Sequence, residues 1–174
     1  MTDNPTVMIV SAVVVIILVA TAAYYIIRFL RGSIKLLLPR TVFNPGDAIV
    51  GSFDLHTKKA IPGNQLIISL IGIEKVKRRK EDGGFETYSE EVYRDDVLLE
   101  ESRVYPAGYK TTHEFEISIP GEGEEESSGP AFQALATAFS MLSQRSVTLS
   151  WKVEARLDAE GVDLATAQSV SINI

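Results

Sequence analysis

From Thr6 to Ile27 the chain runs for 22 residues without a charged side chain. As a helix rising about 1.5 Å per residue, this stretch is roughly 33 Å long, enough to cross a hydrocarbon core of about 30 Å. Valine and isoleucine dominate it. Branching at Cβ weakens such a helix in water, but in lipid the backbone has to satisfy its own polar groups, so the helix forms. Tyr24 and Tyr25 close the run, where interfacial aromatics are favoured. The reading is a five-residue tail, a transmembrane helix over 6–30 and a single soluble domain over 31–174. A secretory signal would need a basic leader and a shorter apolar core, whereas Asp3 is the only charged side chain ahead of this span. Arg28, Arg31, Lys35 and Arg40 follow it, with no acid before Asp47. By the positive-inside rule the N-terminus is expected outside and the domain in the cytoplasm, on a single pass through the plasma membrane.

Beyond the span, short apolar or alternating runs are separated by turn residues. Ser33–Leu38 is one run, and the turn Asn44-Pro45-Gly46-Asp47 follows. In Ala48–Leu55 the residues Ile49, Gly51, Phe53 and Leu55 fall on one face. Pro62-Gly63-Asn64 is expected to turn the chain into Gln65–Val76, and Asp82-Gly83-Gly84 to form a hairpin tip. Phe85–Tyr93 and Val97–Val104 read as two further strands, with a turn at Tyr105-Pro106-Ala107-Gly108. Thr112–Ile119 places His113, Phe115, Ile117 and Ile119 on one side; Val147–Leu157 and Ala165–Ile174 complete the set, divided at Gly161. This is the pattern of an all-β, antiparallel, immunoglobulin-like sandwich.

One segment departs from that pattern. An acidic loop, Gly121–Gly129, leads into Pro130–Ser143, where Phe132, Leu135, Phe139 and Leu142 follow helical spacing. Loop and short amphipathic helix form an insertion over 121–144. The helix is expected on the sandwich edge, with the membrane surface or a partner as its other seats.

Little in the chain points to chemistry. There is no cysteine, which excludes disulfides, thiolate nucleophiles and cysteine metal sites. A net charge of −6 disfavours nucleic acid. His56 and His113 have no metal-ligand spacing around them, and Asp95-Asp96 and Glu100-Glu101, as strand neighbours, point to opposite faces. Glu122, Glu124, Glu125 and Glu126 read as a solvated loop. Neither a phosphate loop nor a nucleophile elbow is present. No catalytic residue, cofactor, metal or small-molecule substrate is expected. The sharpest charge feature is Lys75-Val76-Lys77-Arg78-Arg79-Lys80. With Arg28, Arg31 and Lys35, the bases Lys75, Lys77, Arg78, Arg79 and Lys80 are candidates for anionic lipid headgroups.

Four stretches, in order, resemble the arrestin fold. They are Phe43-Asn44-Pro45-Gly46-Asp47-Ala48-Ile49-Val50-Gly51, the strand Leu66–Val76 with Gly72-Ile73-Glu74, Tyr105-Pro106-Ala107-Gly108 with Glu114–Pro120, and Ser150-Trp151-Lys152-Val153-Glu154-Ala155. The resemblance covers nearly all of the soluble part. Its relatives include visual arrestins, α-arrestins, an arrestin-like retromer subunit and bacterial sporulation-control proteins. It implies a protein-binding β-sandwich without enzymatic activity. Arrestins have two lobes and no membrane anchor, whereas this sequence contains one lobe and a span, so the phosphate-sensing residues of visual arrestins are not carried over. The expected function is a membrane-tethered, non-catalytic adaptor, scaffold or accessory subunit of a membrane complex. Phe132, Leu135, Phe139, Leu142, Tyr88 and Tyr93 are its candidate protein contacts, and the bilayer and an unidentified protein its partners. The alternative is an extracytoplasmic structural or pilin-like filament subunit with a β-sandwich head.

Overall fold

The computed structural model describes residues 5–79, 83–119 and 147–173. The insertion expected over 121–144, with Phe132, Leu135, Phe139 and Leu142, lies outside the described residues, as does Lys80.

Helix α1 runs from Pro5 to Arg31. It is long and apolar enough to cross a membrane, and none of its apolar window packs inside the protein. A soluble core helix would be buried, so this surface is suited to lipid. Within it the Thr21 hydroxyl donates to the Ile17 carbonyl at 2.8 Å, satisfying that polar group within the helix.

The helix passes into strand β1 (Gly32–Leu37) with no residue between them. Then follow β2 (Val42–Phe43), β3 (Ala48–Thr57), β4 (Ile61–Arg79), β5 (Phe85–Glu100), β6 (Arg103–Tyr105), β7 (Lys110–Ser118), β8 (Val147–Ala159) and β9 (Leu164–Ile172). They form two sheets. One has the order β1-β3-β7, and the other β2-β9-β8-β4-β5 with β6 also paired to β4. All pairings are antiparallel except β2 with β9.

The core lies between the sheets. Ile49, Phe53 and Leu55 from β3 and Phe115 and Ile117 from β7 meet Leu66, Ile68, Leu70, Trp151, Val153 and Leu157. The period-two alternation of the sequence fixes this register, since a slip of one residue would turn the whole set to solvent. Asn44–Asp47 is the expected tight turn. The Asp47 N–H donates to the Asn44 carbonyl at 3.1 Å, and the Asp47 carboxylate accepts the Asn44 N–H at 3.0 Å. Pro45 suits the second position of such a turn, and Gly46, at φ 83°, the third.

Two strand assignments change. Pro62-Gly63-Asn64 does not turn the chain but lies inside β4, where the register against β8 shifts between Gly63 and Gln65. A bulge near a strand start tolerates proline and glycine. Phe85–Tyr93 and Val97–Val104 are not separate strands up to Glu100: β5 is continuous, its Asp95 and Asp96 paired with Leu70 and Ser69. The apolar run of β4 is a template long enough to carry the acids with it. β4 is buried on both faces from Leu66 to Gly72, which explains why that run does not alternate.

The junction between helix and sandwich is built from backbone. Gly32 pairs with Thr57, and the Arg31 carbonyl accepts N–H bonds from Lys58 (2.7 Å) and Lys59 (3.4 Å). A Cβ on Gly32 would sit 2.2 Å from the His56 carbonyl oxygen, so only glycine lets the strand approach this closely. Thr57 ties in the next turn: its N–H donates to the Tyr109 carbonyl, its carbonyl accepts the Gly108 N–H, and its hydroxyl donates to the Pro106 carbonyl at 2.6 Å. Gly32→Ala is expected to cost about 1–3 kcal/mol through overpacking, lowering the unfolding midpoint of the detergent-solubilised chain by about 3–10 °C. Trp151, the single tryptophan and buried in the core, is the reporter. An unchanged midpoint would refute the close approach.

Candidate functional site

The strands set two ends. At the helix end lie Gly32, Thr57, Gly63, Tyr105 and Ala159; at the other end lie Leu37, Ala48, Arg79, Phe85 and Val147. Three features stand out, one at each end and one on the flank.

At the helix end the bases gather. Arg28 donates through Nη2 to the Ala165 carbonyl, and Arg31 Nη1 donates to the Glu160 carbonyl at 2.7 Å. Lys58 Nζ lies 3.3 Å from the centroid of the Phe29 ring, a cation–π contact. Lys35 is exposed on β1 and in register with Asp54. Lys58 and Lys59 were not singled out from the sequence. They reach Arg31 only because β3 pairs with β1, and no local pattern reports that pairing.

On the flank, β5 and β7 end their respective sheets among the described residues. Between them lies a polar cluster. Tyr105 is fully buried and its hydroxyl donates to Glu100 Oε2 at 2.6 Å. Glu100 Oε1 accepts from Arg103 at 3.2 Å. His113 Nε2 lies 3.7 Å from that same oxygen, too far for a hydrogen bond, while its ring stacks on Phe53 at 5.3 Å. Arg103 covers the rings of Tyr105 and Tyr109 at 4.6 and 5.0 Å. Burial above all, and then the Glu100 carboxylate, holds the Tyr105 hydroxyl well above the usual tyrosine range. The arrangement suits a brace between sheets: it offers one carboxylate, already engaged, and no open nucleophile. No group of three or more metal-ligating side chains occurs among the described residues.

At the far end, β8 is described from Val147, opposite Val76. Among the described residues, Lys77, Arg78 and Arg79 pair with Thr87, Glu86 and Phe85, and the β4–β5 hairpin continues there as a two-stranded finger. Gly83, at φ 88°, lies at its tip. Phe85 is 73% exposed and Tyr88 51%. The Tyr88 hydroxyl donates to Glu86 Oε2 at 2.6 Å. Tyr93, grouped with Tyr88 as a contact residue from sequence, is instead buried and packs edge-on against Trp151 at 5.4 Å. The cause is the irregularity where the β4 register shifts between Gly72 and Ile73, which puts an extra β5 residue between Glu91 and Tyr93. Burial first, with Asp95 nearby second, pushes the Tyr93 hydroxyl up to about 12. The run Lys75–Arg79 and the bases at α1 do not come together: Lys75–Arg79 lie roughly 40–50 Å along β4 from Gly63.

The Tyr105–Glu100 bond generates a pH dependence. A tyrosine in the unfolded chain ionises near pH 10, and Tyr105 and Tyr93 resist ionisation when folded. The unfolded state then releases protons first, so stability is full below about pH 10 and falls as pH rises beyond it. Tyr105→Phe is expected to cost about 1.5 kcal/mol at neutral pH and to make the alkaline fall shallower, with Tyr93 supplying the remainder. Urea titrations across that range, read by circular dichroism, check this; a fall as steep as in the parent chain would refute the bond.

No protein-family description matches the sequence, and no curated protein does. The structure is similar to the crystal structure of Spo0M, a sporulation control protein from Bacillus subtilis, with a TM-score of 0.55 and 14% identity. The match covers 83% of this chain and 50% of Spo0M, so the chain spans about half the length of that protein. At this identity the similarity concerns the fold alone: a β-sandwich similar to that of Spo0M, here following an apolar N-terminal helix.

Proposed function

We propose that the chain is a membrane-tethered, non-catalytic adaptor or accessory subunit whose β4–β5 finger binds a protein partner from the cytoplasmic side of the plasma membrane. The observation that carries this reading is the finger itself, a ribbon that beyond Val76 pairs only with itself among the described residues and exposes Phe85 and Tyr88 beside Lys75–Arg79. Exposed aromatics near cations are the residues that dominate protein interfaces. The strand edges are poorer candidates. β5 carries Glu86, Glu90, Glu91, Arg94, Asp95 and Asp96, together with its bulge, and β7 carries Lys110, Glu114 and Glu116; charges and bulges of this kind blunt an edge against strand addition. Spo0M, of similar fold, is a control protein, which accords with regulation by contact. The bases after α1 support the cytoplasmic placement.

Two measurements test this. A photo-reactive side chain placed at Thr87, exposed between the two aromatics, is expected to form protein adducts in native membranes. Phe85→Ala with Tyr88→Ala should reduce them by about tenfold or more, as loss of interface anchors does; adducts indifferent to that change would overturn the finger as the contact. A cysteine introduced at exposed Ser118, in a chain without cysteine, should react with an impermeant maleimide only after lysis. Labelling of intact cells would instead reverse the orientation.

A further inference from the structure

Between the last turn of α1 and strands β1 and β9 lies a cleft of about 360 Å³. Its lining is divided. Tyr25, Phe29 and Leu164 give it an apolar side, and Arg28, Ser33 and Thr166 a polar one. Among the described residues no acidic side chain lines it. Arg28 uses a donor on the Ala165 carbonyl, which fixes the guanidinium at the cleft and leaves further N–H groups of its five-donor fork. Arg31 and Lys58, held by the Glu160 carbonyl and the Phe29 ring, add positive charge beside it. The negative end of the helix dipole would oppose an anion here, but the last carbonyl of α1, that of Arg31, is already engaged by Lys58 and Lys59 N–H groups.

We propose that this cleft seats one anionic phospholipid, its phosphate against Arg28, Ser33 and Thr166 and its acyl chains along α1. The apolar side carries the choice of a lipid over a free phosphate. Tyr25 and Phe29 are 61% and 68% exposed and continue directly into the uncharged surface of the helix. A phosphate alone would have no use for that wall, whereas a glycerol backbone and the first methylenes of two chains would cover it. The inference rests on α1 spanning the membrane, and it is independent of the finger. It also separates Arg28 from Lys35 and from Lys75–Arg79, which share its charge but line no part of the cleft.

The test uses the full chain in nanodiscs of phosphatidylcholine with or without phosphatidylglycerol, released into native mass spectrometry. One phosphatidylglycerol is expected to stay bound per protein, with phosphatidylcholine retained far less. Arg28→Gln should weaken retention about tenfold, the loss of one charge-assisted hydrogen bond. Thr166→Val keeps the shape and strand preference of the residue and should weaken it several-fold at an unchanged unfolding midpoint, so that a folding defect at Arg28 cannot imitate the result. Arg78→Gln, at the finger, should leave retention as it is. Equal retention of both lipids, or an equal loss on Arg78→Gln, overturns the seat and points to charge attraction in general. Displacement by glycerol phosphate or inorganic phosphate at matched concentration assigns the site to a soluble phosphoanion and also overturns it. A chain that does not enter nanodiscs refutes the spanning helix and this inference with it; a chain that enters but shows no lipid preference refutes the inference alone.

Discussion

The whole arrangement depends on one backbone contact, the approach of Gly32 to the His56 carbonyl. Here α1 ends at Arg31 and β1 begins at Gly32, so the apolar helix runs without a linker into the first strand of the core. Pairing of Gly32 with Thr57 brings the β3–β4 turn under the helix, and that turn supplies the N–H groups that occupy the Arg31 carbonyl. The same pairing positions Thr57 to fasten Pro106, Gly108 and Tyr109. Helix direction, sheet register and the first cross-sheet turn are thus set by a single junction, and a side chain at position 32 would disturb all three together.

The second organising element is the flank. A sandwich closes well where its sheets share strands and poorly where two edges lie open. On this side Glu100 of β5 binds Tyr105 of β6, and Arg103 covers Tyr105 and Tyr109. His113 of β7 stands at 3.7 Å from the same carboxylate. Partly buried carboxylates are costly unless their oxygens are engaged, and both oxygens of Glu100 are. The cluster therefore braces the open side, and burial of its carboxylate accounts for its polar character.

Much of this fold can be read from the order of residues, where the signal is local and periodic. The uncharged span declares itself over its 22 residues and the Asn44–Asp47 turn within four, and the alternation through Phe53 and through Phe115 shows within a dozen, because one buried face imposes a period of two. What could not be read is what depends on distant partners. Pro62 and Gly63 look like a turn, but with Val104 and Arg103 opposite they extend a strand. Asp95 and Asp96 look like a break, but β4 holds them in register. Tyr93 resembles Tyr88 in composition and neighbours, and only the bulge and the room beside Trp151 decide that one is core and the other surface. For the candidate sites, Arg28 and Arg31 were legible from charge and position, whereas Lys58, Glu100 and the cleft beside Arg28 exist only once strands are paired.

That separation bears on how the two basic groups are to be understood. Counted along the sequence, Arg28 to Lys35 and Lys75 to Lys80 suggest one positive surface on an otherwise acidic chain. In the fold Arg28 and Lys75–Arg79 lie toward opposite ends of the strands, roughly 40–50 Å apart along β4. The screening length at physiological salt is about 8 Å, so neither group reinforces the field of the other. Each has then to be explained by its own neighbours. Around Arg28 these are an apolar wall and the end of a helix suited to lipid. Around Lys75–Arg79 they are two exposed aromatic rings on a ribbon that beyond Val76 no other strand supports among the described residues, and acids of β5 in register across it, with Glu86 opposite Arg78. A ribbon of mixed charge with aromatic faces offers a bilayer little net attraction. It offers a protein surface both the apolar area and the directional polar contacts that specific recognition requires.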